Sequence, residues 1–240
     1  MTNNIKLSKR LKQTASYLPM GANFADIGSD HAYLPCYVCL KDKQAKAIAG
    51  EINDGPFQSA TQTVREHGLE EVVDVRLGDG LDVLTADEVT QVVIAGMGGA
   101  LIRSILQKGI NKLESVERII AQPNVDARDV REWFKNNNFI ITEETIIEEN
   151  GHIYEIVVGD RHSGVVYPEL SQKQLLFGPL LLENKPEAFY TKWAEEYEKL
   201  NRVISQMRLA KHLNSEKLNR FETELRWMEE VLQYDGKSKQ

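Results

Sequence analysis

A doubly wound, Rossmann-like α/β sheet followed by a C-terminal α-helical coiled-coil hairpin is the fold that this 240-residue sequence predicts, and three observations predict it. Short aliphatic runs alternate with helical patterns through the first 160 residues. Clusters of acid and glycine end the first three of those runs. Beyond residue 186, apolar residues recur at spacings of three and four.

The chain opens on Lys6, Lys9, Arg10 and Lys12, with no acid in its first 20 residues. Set among Ile5, Leu7 and Leu11, these cations read either as a patch for a polyanion or as the solvated face of a helix. Asn23 to Asp26, Ala45 to Glu51, Val72 to Leu77, Val92 to Ala95 and Ile119 to Gln122 follow as buried parallel strands, each brief, aliphatic and bounded by polar or glycine turns. Helices between them begin near His31, Pro56, Gly99 and Ala127, and Pro56 suits a first helical position because the N–H it lacks would have no partner there. Phe139 to Glu148 and Ile153 to Gly159 flank an Asn150-Gly151 hairpin signal, so the sheet closes on an antiparallel pair.

Residues 161–185 hold Gly164, Pro168, Gly178 and Pro179 and read as a connecting stretch with one short helix around Ser171 to Phe177. Phe189, Trp193, Tyr197, Leu200, Ile204 and Met207 then form one apolar stripe. After Asn214-Ser215, Leu218, Phe221, Leu225, Met228 and Leu232 form another. Two such helices joined by a polar turn fold back as an antiparallel pair. The expected division is 1–160 for a cofactor domain with its basic N-terminal segment, 161–185 for the connection and 186–236 for the hairpin.

No apolar run approaches the roughly 20 residues of a membrane helix, and the N-terminus lacks an apolar signal core. A soluble cytoplasmic protein with no membrane partner is expected. Cys36 and Cys39 form a C-x-x-C with no second pair, which reads as two buried thiols in a reducing compartment, with no metal. The net charge of −7 argues against bulk attraction to nucleic acid. Its distribution is uneven: the first 20 residues carry +4, residues 183–240 balance 11 basic against 11 acidic side chains, and the middle supplies −11. Any nucleic acid must therefore be met by local patches outside the acidic cofactor domain.

The strand ends carry the chemistry. Gly28, in Ala25-Asp26-Ile27-Gly28-Ser29-Asp30-His31, allows close backbone approach to a ligand, and Glu51 at the next strand's end can accept both hydroxyls of a ribose. A nicotinamide dinucleotide would need G-x-G-x-x-G to seat its pyrophosphate, and this turn has Gly28 alone. Asp79, in Gly78-Asp79-Gly80-Leu81, can receive the exocyclic amine of adenine. A cofactor with adenosine but no phosphate, held by carboxylates, points to S-adenosylmethionine, whose cationic groups suit an acidic pocket. The plainer alternative is that Asp, Ser and Gly serve here only as helix caps and turns, but three clusters in order favour the pocket.

Together these segments resemble one family, the bacterial tRNA adenine-N1 methyltransferases that modify position 22. The strings that carry the resemblance are Leu7-Ser8-Lys9-Arg10-Leu11, Ala25 to Pro35, Gly50 to Pro56, Gly78 to Leu81, Ile94-Ala95-Gly96-Met97-Gly98-Gly99 and Gln122-Pro123-Asn124. It implies a class I methyltransferase domain with a C-terminal coiled coil, S-adenosylmethionine as cofactor and whole tRNA as partner. It also implies that Asp26, Gly28, Ser29, His31, Glu51, Ile52, Gly78, Asp79, Gly80, Ala95, Gly96 and Met97 line the cofactor site, and that Asn124 borders the target base.

The end of the fourth strand, Ala95 to Gly99, carries neither the acceptor side chain nor the aromatic ring that methylation of an exocyclic amine calls for. N1 of adenine has an in-plane lone pair and no hydrogen to lose, so placement and alignment suffice, with the product's positive ring stabilised by acceptors. Asn124 is the candidate for holding the adenine edge; His31 is a weaker catalytic candidate that fits shaping of the cofactor loop better. Because N1 lies on the pairing edge, a paired base must be flipped at a cost of about a few kcal/mol. Lys6, Lys9, Arg10 and Lys12, with the hairpin, are where phosphate contacts that offset this cost are expected. A non-catalytic RNA-binding module on the same fold and a small-molecule methyltransferase are the alternatives. Failure to bind the cofactor marks the first, and activity independent of tRNA marks the second.

Overall fold

The computed structural model describes residues 5–161, 169–209 and 214–233. The first four residues, 162–168 of the expected connection, 210–213 before the polar turn and the last three residues of the expected hairpin lie outside the described residues. The chain divides into two compact units, 1–170 and 171–240.

The first unit is built on seven strands, β1 Asn23–Ile27, β2 Lys46–Glu51, β3 Val73–Leu77, β4 Gln91–Gly98, β5 Arg118–Val125, β6 Ile140–Glu149 and β7 His152–Asp160. Their order is β3-β2-β1-β4-β5-β7-β6. The first five run parallel, while β7 pairs antiparallel with β5 and with β6. This is the doubly wound sheet the sequence predicts, and its chain reverses direction of winding between β1 and β4, which places a crevice beyond their carboxyl ends. The Asn150-Gly151 turn joins β6 to β7 with both residues at positive φ, +53° and +76°, as a tight hairpin requires.

Alternation along the strands feeds two apolar layers. Ala25, Ile27, Val92, Ile94, Ile119, Ala121 and Val157 face a layer closed by α4 Gly99–Lys108 and α5 Ala127–Asn136, whose Ile102, Leu106, Val130, Trp133 and Phe134 are buried. Phe24, Ala47, Ala49, Val93, Ile120, Ile156 and Val158 face the other, closed by α2 Tyr33–Lys41 and α3 Asp54–Glu66. Cys36 and Cys39 are buried free thiols of α2, and burial raises both to about 12, so neither is a thiolate.

The N-terminal segment is anchored to the first unit by its apolar residues. Ile5 and Leu7 are buried in the second layer, and Ser8 caps the short helix α1 Lys9–Ala15 through the Leu11 N–H. Glu149 on β6 accepts the backbone N–H of Lys9 and, at 3.4 Å, that of Arg10.

In the second unit, Ser171 and Gln174 form a capping box that starts α6 Gln172–Phe177, and Gly178 at φ +90° turns the chain into α7 Pro179–Asn184. Reading this region as a connection with one short helix missed α7, because Gly178-Pro179 reads as a break whereas Pro179 occupies the first helical position. The long helices α8 Glu187–Arg208 and α9 Ser215–Gln233 pack on one another with Tyr197 donating to Glu229 at 2.8 Å and Arg208 paired to Glu222 at 2.6 Å, so they run antiparallel. Phe177 meets Trp193 edge-on at 4.4 Å, and Phe189 completes the cluster.

Candidate functional site

The β1 end forms one wall of the crevice. The N–H groups of Gly28 and Ser29 both donate to the Gly50 carbonyl, at 2.9 and 3.2 Å, which ties the β1 turn to the end of β2. Gly28 has φ +70°, and a Cβ there would collide with the terminal methyl of Met97 from β4. The next three residues, Asp30, His31 and Ala32, all take positive φ, at 46°, 70° and 57°. Such left-handed non-glycine residues cost about 1–3 kcal/mol each, so something must hold them. The backbone N–H groups of Asp30 and His31 donate to the Glu51 carboxylate, which supplies that hold.

Glu51 is buried, and its Oε1 has no hydrogen-bond partner among the described residues. Burial and the neighbouring Asp30 carboxylate raise its pKa against the opposing backbone donors. Asp26, fully enclosed below it, is raised further, to about 7, by burial first and then by the Glu51 and Asp30 charges, with the Ser29 hydroxyl opposing. Two acids that raise each other's pKa, one keeping an acceptor oxygen with no partner among the described residues, form a site that gains from a ligand with hydroxyl donors and positive charge. S-adenosylmethionine fits both requirements.

The other expected residues fall around the same rim. Ile52 is exposed just past β2. The Gly78 N–H donates to the Glu51 carbonyl at 2.8 Å, and Gly80 turns at φ +58°. Asp79 is exposed and its carboxylate is engaged by Lys108 at 2.6 Å, so an adenine amine would share it with that cation. His31 lies half-exposed, 3.4 Å from the Asp30 carboxylate and 5.4 Å from the Tyr33 ring.

At the ends of β4 and β5 the ladder breaks between Ala95 and Met97, and Gly96 takes φ +80°. Side-chain amides replace the missing ladder partners. Gln122 Oε1 accepts the Gly96 N–H at 3.0 Å, and Asn124 Nδ2 donates to the Gly96 carbonyl at 2.7 Å. Gln122 Nε2 donates to the Pro123 carbonyl at 3.0 Å and to Asn124 Oδ1 at 3.3 Å. Arg10 Nη1 also donates to Gln122 Oε1, while its guanidinium lies 5.0 Å over the Tyr154 ring. A Cβ on Gly99, the first residue of α4, would collide with the Asp126 carbonyl, so that glycine is required by packing as well as by any ligand.

The four N-terminal cations therefore part company. Lys6, Lys9 and Lys12 are exposed, whereas Arg10 turns inward to the β4–β5 end. Neither Gln122 nor Arg10 was singled out for this network on sequence. The available signal was an amide ending the aliphatic run Ile119-Ile120-Ala121, where the sheet core would otherwise continue. Among the described residues no group of three or more His, Cys, Asp or Glu is placed to hold a metal ion, and no helix is long and apolar enough to cross a membrane.

Residues 24–230 match the family model of tRNA (adenine(22)-N(1))-methyltransferase. The enzyme of that name from Bacillus subtilis is 44% identical over 237 residues, 97% of this chain and 99% of its own. The chain belongs to this family. The crystal structure of the Bacillus subtilis m1A22 tRNA methyltransferase superposes with a TM-score of 0.88 at 40% identity, covering 95% of this chain and all of that one. A putative tRNA (m1A22) methyltransferase from Streptococcus pneumoniae, solved in complex with S-adenosyl-L-methionine, superposes at 0.84 with 39% identity, again over 95% of this chain and all of its own.

Proposed function

We propose that the protein transfers a methyl group from S-adenosylmethionine to N1 of adenine 22 in tRNA, giving 1-methyladenosine. Family membership along nearly the whole chain carries this reading, and the acid pair at the β1 and β2 ends supports it independently. When bound, the cofactor supplies an electrophilic methyl on a sulfonium centre. Glu51 accepts the ribose hydroxyls through its open oxygen, Asp26 and Glu51 lend negative charge to a cationic ligand, and Gly28 keeps the turn low enough for close approach. Asp79 receives the adenine amine of the cofactor. Ala95, Gly96 and Met97 form the edge towards the substrate.

On the substrate side, Asn124 holds the target base and no general base is needed, since N1 carries no hydrogen. The protein's contribution is alignment, with the Asn124 oxygen also opposite the positive ring of the product. His31 shapes the cofactor loop. Lys6, Lys9 and Lys12 meet tRNA phosphates together with the helical hairpin, and residues 1–160 serve as the cofactor domain. A cytoplasmic protein follows from that substrate.

Methylation of total tRNA followed by nuclease digestion and mass spectrometry tests the reading. The expected product is 1-methyladenosine without N6-methyladenosine, lost when position 22 is changed to a pyrimidine. An N6 product, or methylation that persists without that adenine, would overturn the chemistry or the position respectively.

A further inference from the structure

Hydrogen-bond capacity at the β4–β5 bulge reaches further than the proposed function and rests on it. A primary amide has two N–H donors and two acceptor sites. Gln122 uses all four: Oε1 takes the Gly96 N–H and Arg10, and Nε2 gives to the Pro123 carbonyl and Asn124 Oδ1. The residue is fully buried, so its amide polarity is set by its partners and it has nothing left for a ligand. Asn124 differs. Its Oδ1 accepts from Gln122 and its Nδ2 donates to the Gly96 carbonyl, which leaves one N–H and one lone pair without a partner among the described residues on a side chain that is exposed at the carboxyl ends of the strands.

Turning the Asn124 amide over would set its oxygen against the Gly96 carbonyl and its NH2 against the Gln122 NH2. The cycle through Gly96, Gln122 and Asn124 thus holds one donor and one acceptor in a fixed sense. Adenine offers two edges that match a donor–acceptor pair. The pairing edge uses N1 and N6, but an N–H on N1 would occupy the lone pair that must take the methyl. The Hoogsteen edge uses N7 and N6, and leaves N1 free. Guanine presents two acceptors, O6 and N7, on that edge, so one of them would face the Asn124 oxygen.

We propose that Gln122 is a positioning residue that locks Asn124 to read the N6–N7 edge of the target adenine, which selects adenine over guanine and leaves N1 open to methylation. Arg10 contributes by holding the Gln122 oxygen from the N-terminal segment.

The test uses the full chain and two tRNAs that differ only at the target, adenosine against 7-deazaadenosine, which lacks the N7 acceptor and keeps N1. Single-turnover rates at saturating protein and cofactor separate recognition at the base from tRNA affinity. Wild type is expected to methylate the 7-deaza tRNA about tenfold more slowly, the loss of one hydrogen bond in a closed site. Asn124→Ala should be slower on adenosine and lose nothing further on the analogue, since the interacting partners are then both gone. Gln122→Glu keeps acceptors for the Gly96 N–H and Arg10 but cannot donate to Asn124. It should bind the cofactor within about threefold of wild type, by calorimetry, and discriminate the two tRNAs by less than about threefold.

Equal wild-type rates on both tRNAs would overturn the edge assignment. Full discrimination retained in Gln122→Glu would overturn the lock. Should that variant fail to fold, the Asn124→Ala comparison still decides the edge. A wild type that methylates neither tRNA would sink the proposed function itself, a result distinct from either.

Discussion

Glu51 sits beneath a turn of three left-handed residues, and the division of its carboxylate, one oxygen open and the other taken by the turn, makes it the most sensitive single position for cofactor binding. Replacement by Ala removes ribose hydrogen bonds to a charged acceptor, together worth roughly 2 to 4 kcal/mol, so S-adenosylmethionine affinity should fall by more than about tenfold. Calorimetry on the folded variant checks it, and an unchanged affinity would reduce Glu51 to a turn anchor. Asp26 gives a pH signature. Its pKa is about 7 in the fold against 3.8 for an ordinary aspartate, so the folded state holds a proton that the unfolded chain has lost. Stability is therefore given up as pH rises from about 4 to 7, and the whole cost stands above 7. Asp26→Asn removes that dependence. Its melting temperature should exceed that of wild type by more at pH 8 than at pH 5, while its cofactor affinity falls. A variant whose advantage does not grow with pH would contradict the assignment.

One buried cation organises the closing hairpin of the sheet. Arg131 of α5 is fully enclosed, donating through Nε to Glu144 of β6 at 2.6 Å and through Nη2 to Glu155 of β7. Trp133 and Phe134 of the same helix pack against the Phe139 ring, and a Cβ on Gly159 would meet the Phe134 ring at 2.9 Å, so α5 lies close on β7. Arg131→Met roughly keeps the volume and removes the guanidinium charge that two buried carboxylates share, which should destabilise by about 3–5 kcal/mol, whereas removing a more exposed ion pair such as Arg103 with Glu132 should cost well under 1 kcal/mol. Urea unfolding of both variants makes the comparison. Equal losses would mean that α5 is held by its apolar face alone. None of this was visible in Ala127 to Asn136, because a helix's hydrophobic pattern does not say which of its polar residues lies inward.

Across the whole molecule, two compact units carry different chemistry. Residues 1–170 contain the seven strands, both apolar layers and every acid of the candidate cofactor site, while the described residues of the second unit form four helices with their own aromatic cluster. A chain ended after Leu170 should bind S-adenosylmethionine within about threefold of the full protein and lose most of its turnover on tRNA, where phosphate contacts must offset base flipping. Filter binding and methyl transfer at two salt concentrations would show a smaller salt dependence as well. Full activity in the short chain would reassign the hairpin to assembly or stability.

The order of the strands across the sheet came only from their pairing. The doubly wound class of the sheet, its hairpin closure and the three acid and glycine clusters were legible in the sequence because each leaves a local mark, namely brief aliphatic runs and turn residues whose φ the backbone demands. Glu51 and Gly28 belong to that class, since a strand end identifies itself by where its aliphatic run stops. The roles of Arg10, Gln122 and Arg131 do not. Arg10 lies among three lysines that point to solvent, and only the packing of Ile5 and Leu7 under the sheet carries its guanidinium to Gln122, 112 residues away. Likewise the open oxygen of Glu51 and the raised pKa of Asp26 exist because β1 and β2 pair in register, Ile27 beside Gly50, and enclose two carboxylates that the chain keeps 25 residues apart. Periodicity determines which residues are buried. Which buried polar groups meet, and what capacity remains for a ligand, is decided by the three-dimensional pairing, because hydrogen bonds and desolvation depend on distances between side chains that no local pattern specifies.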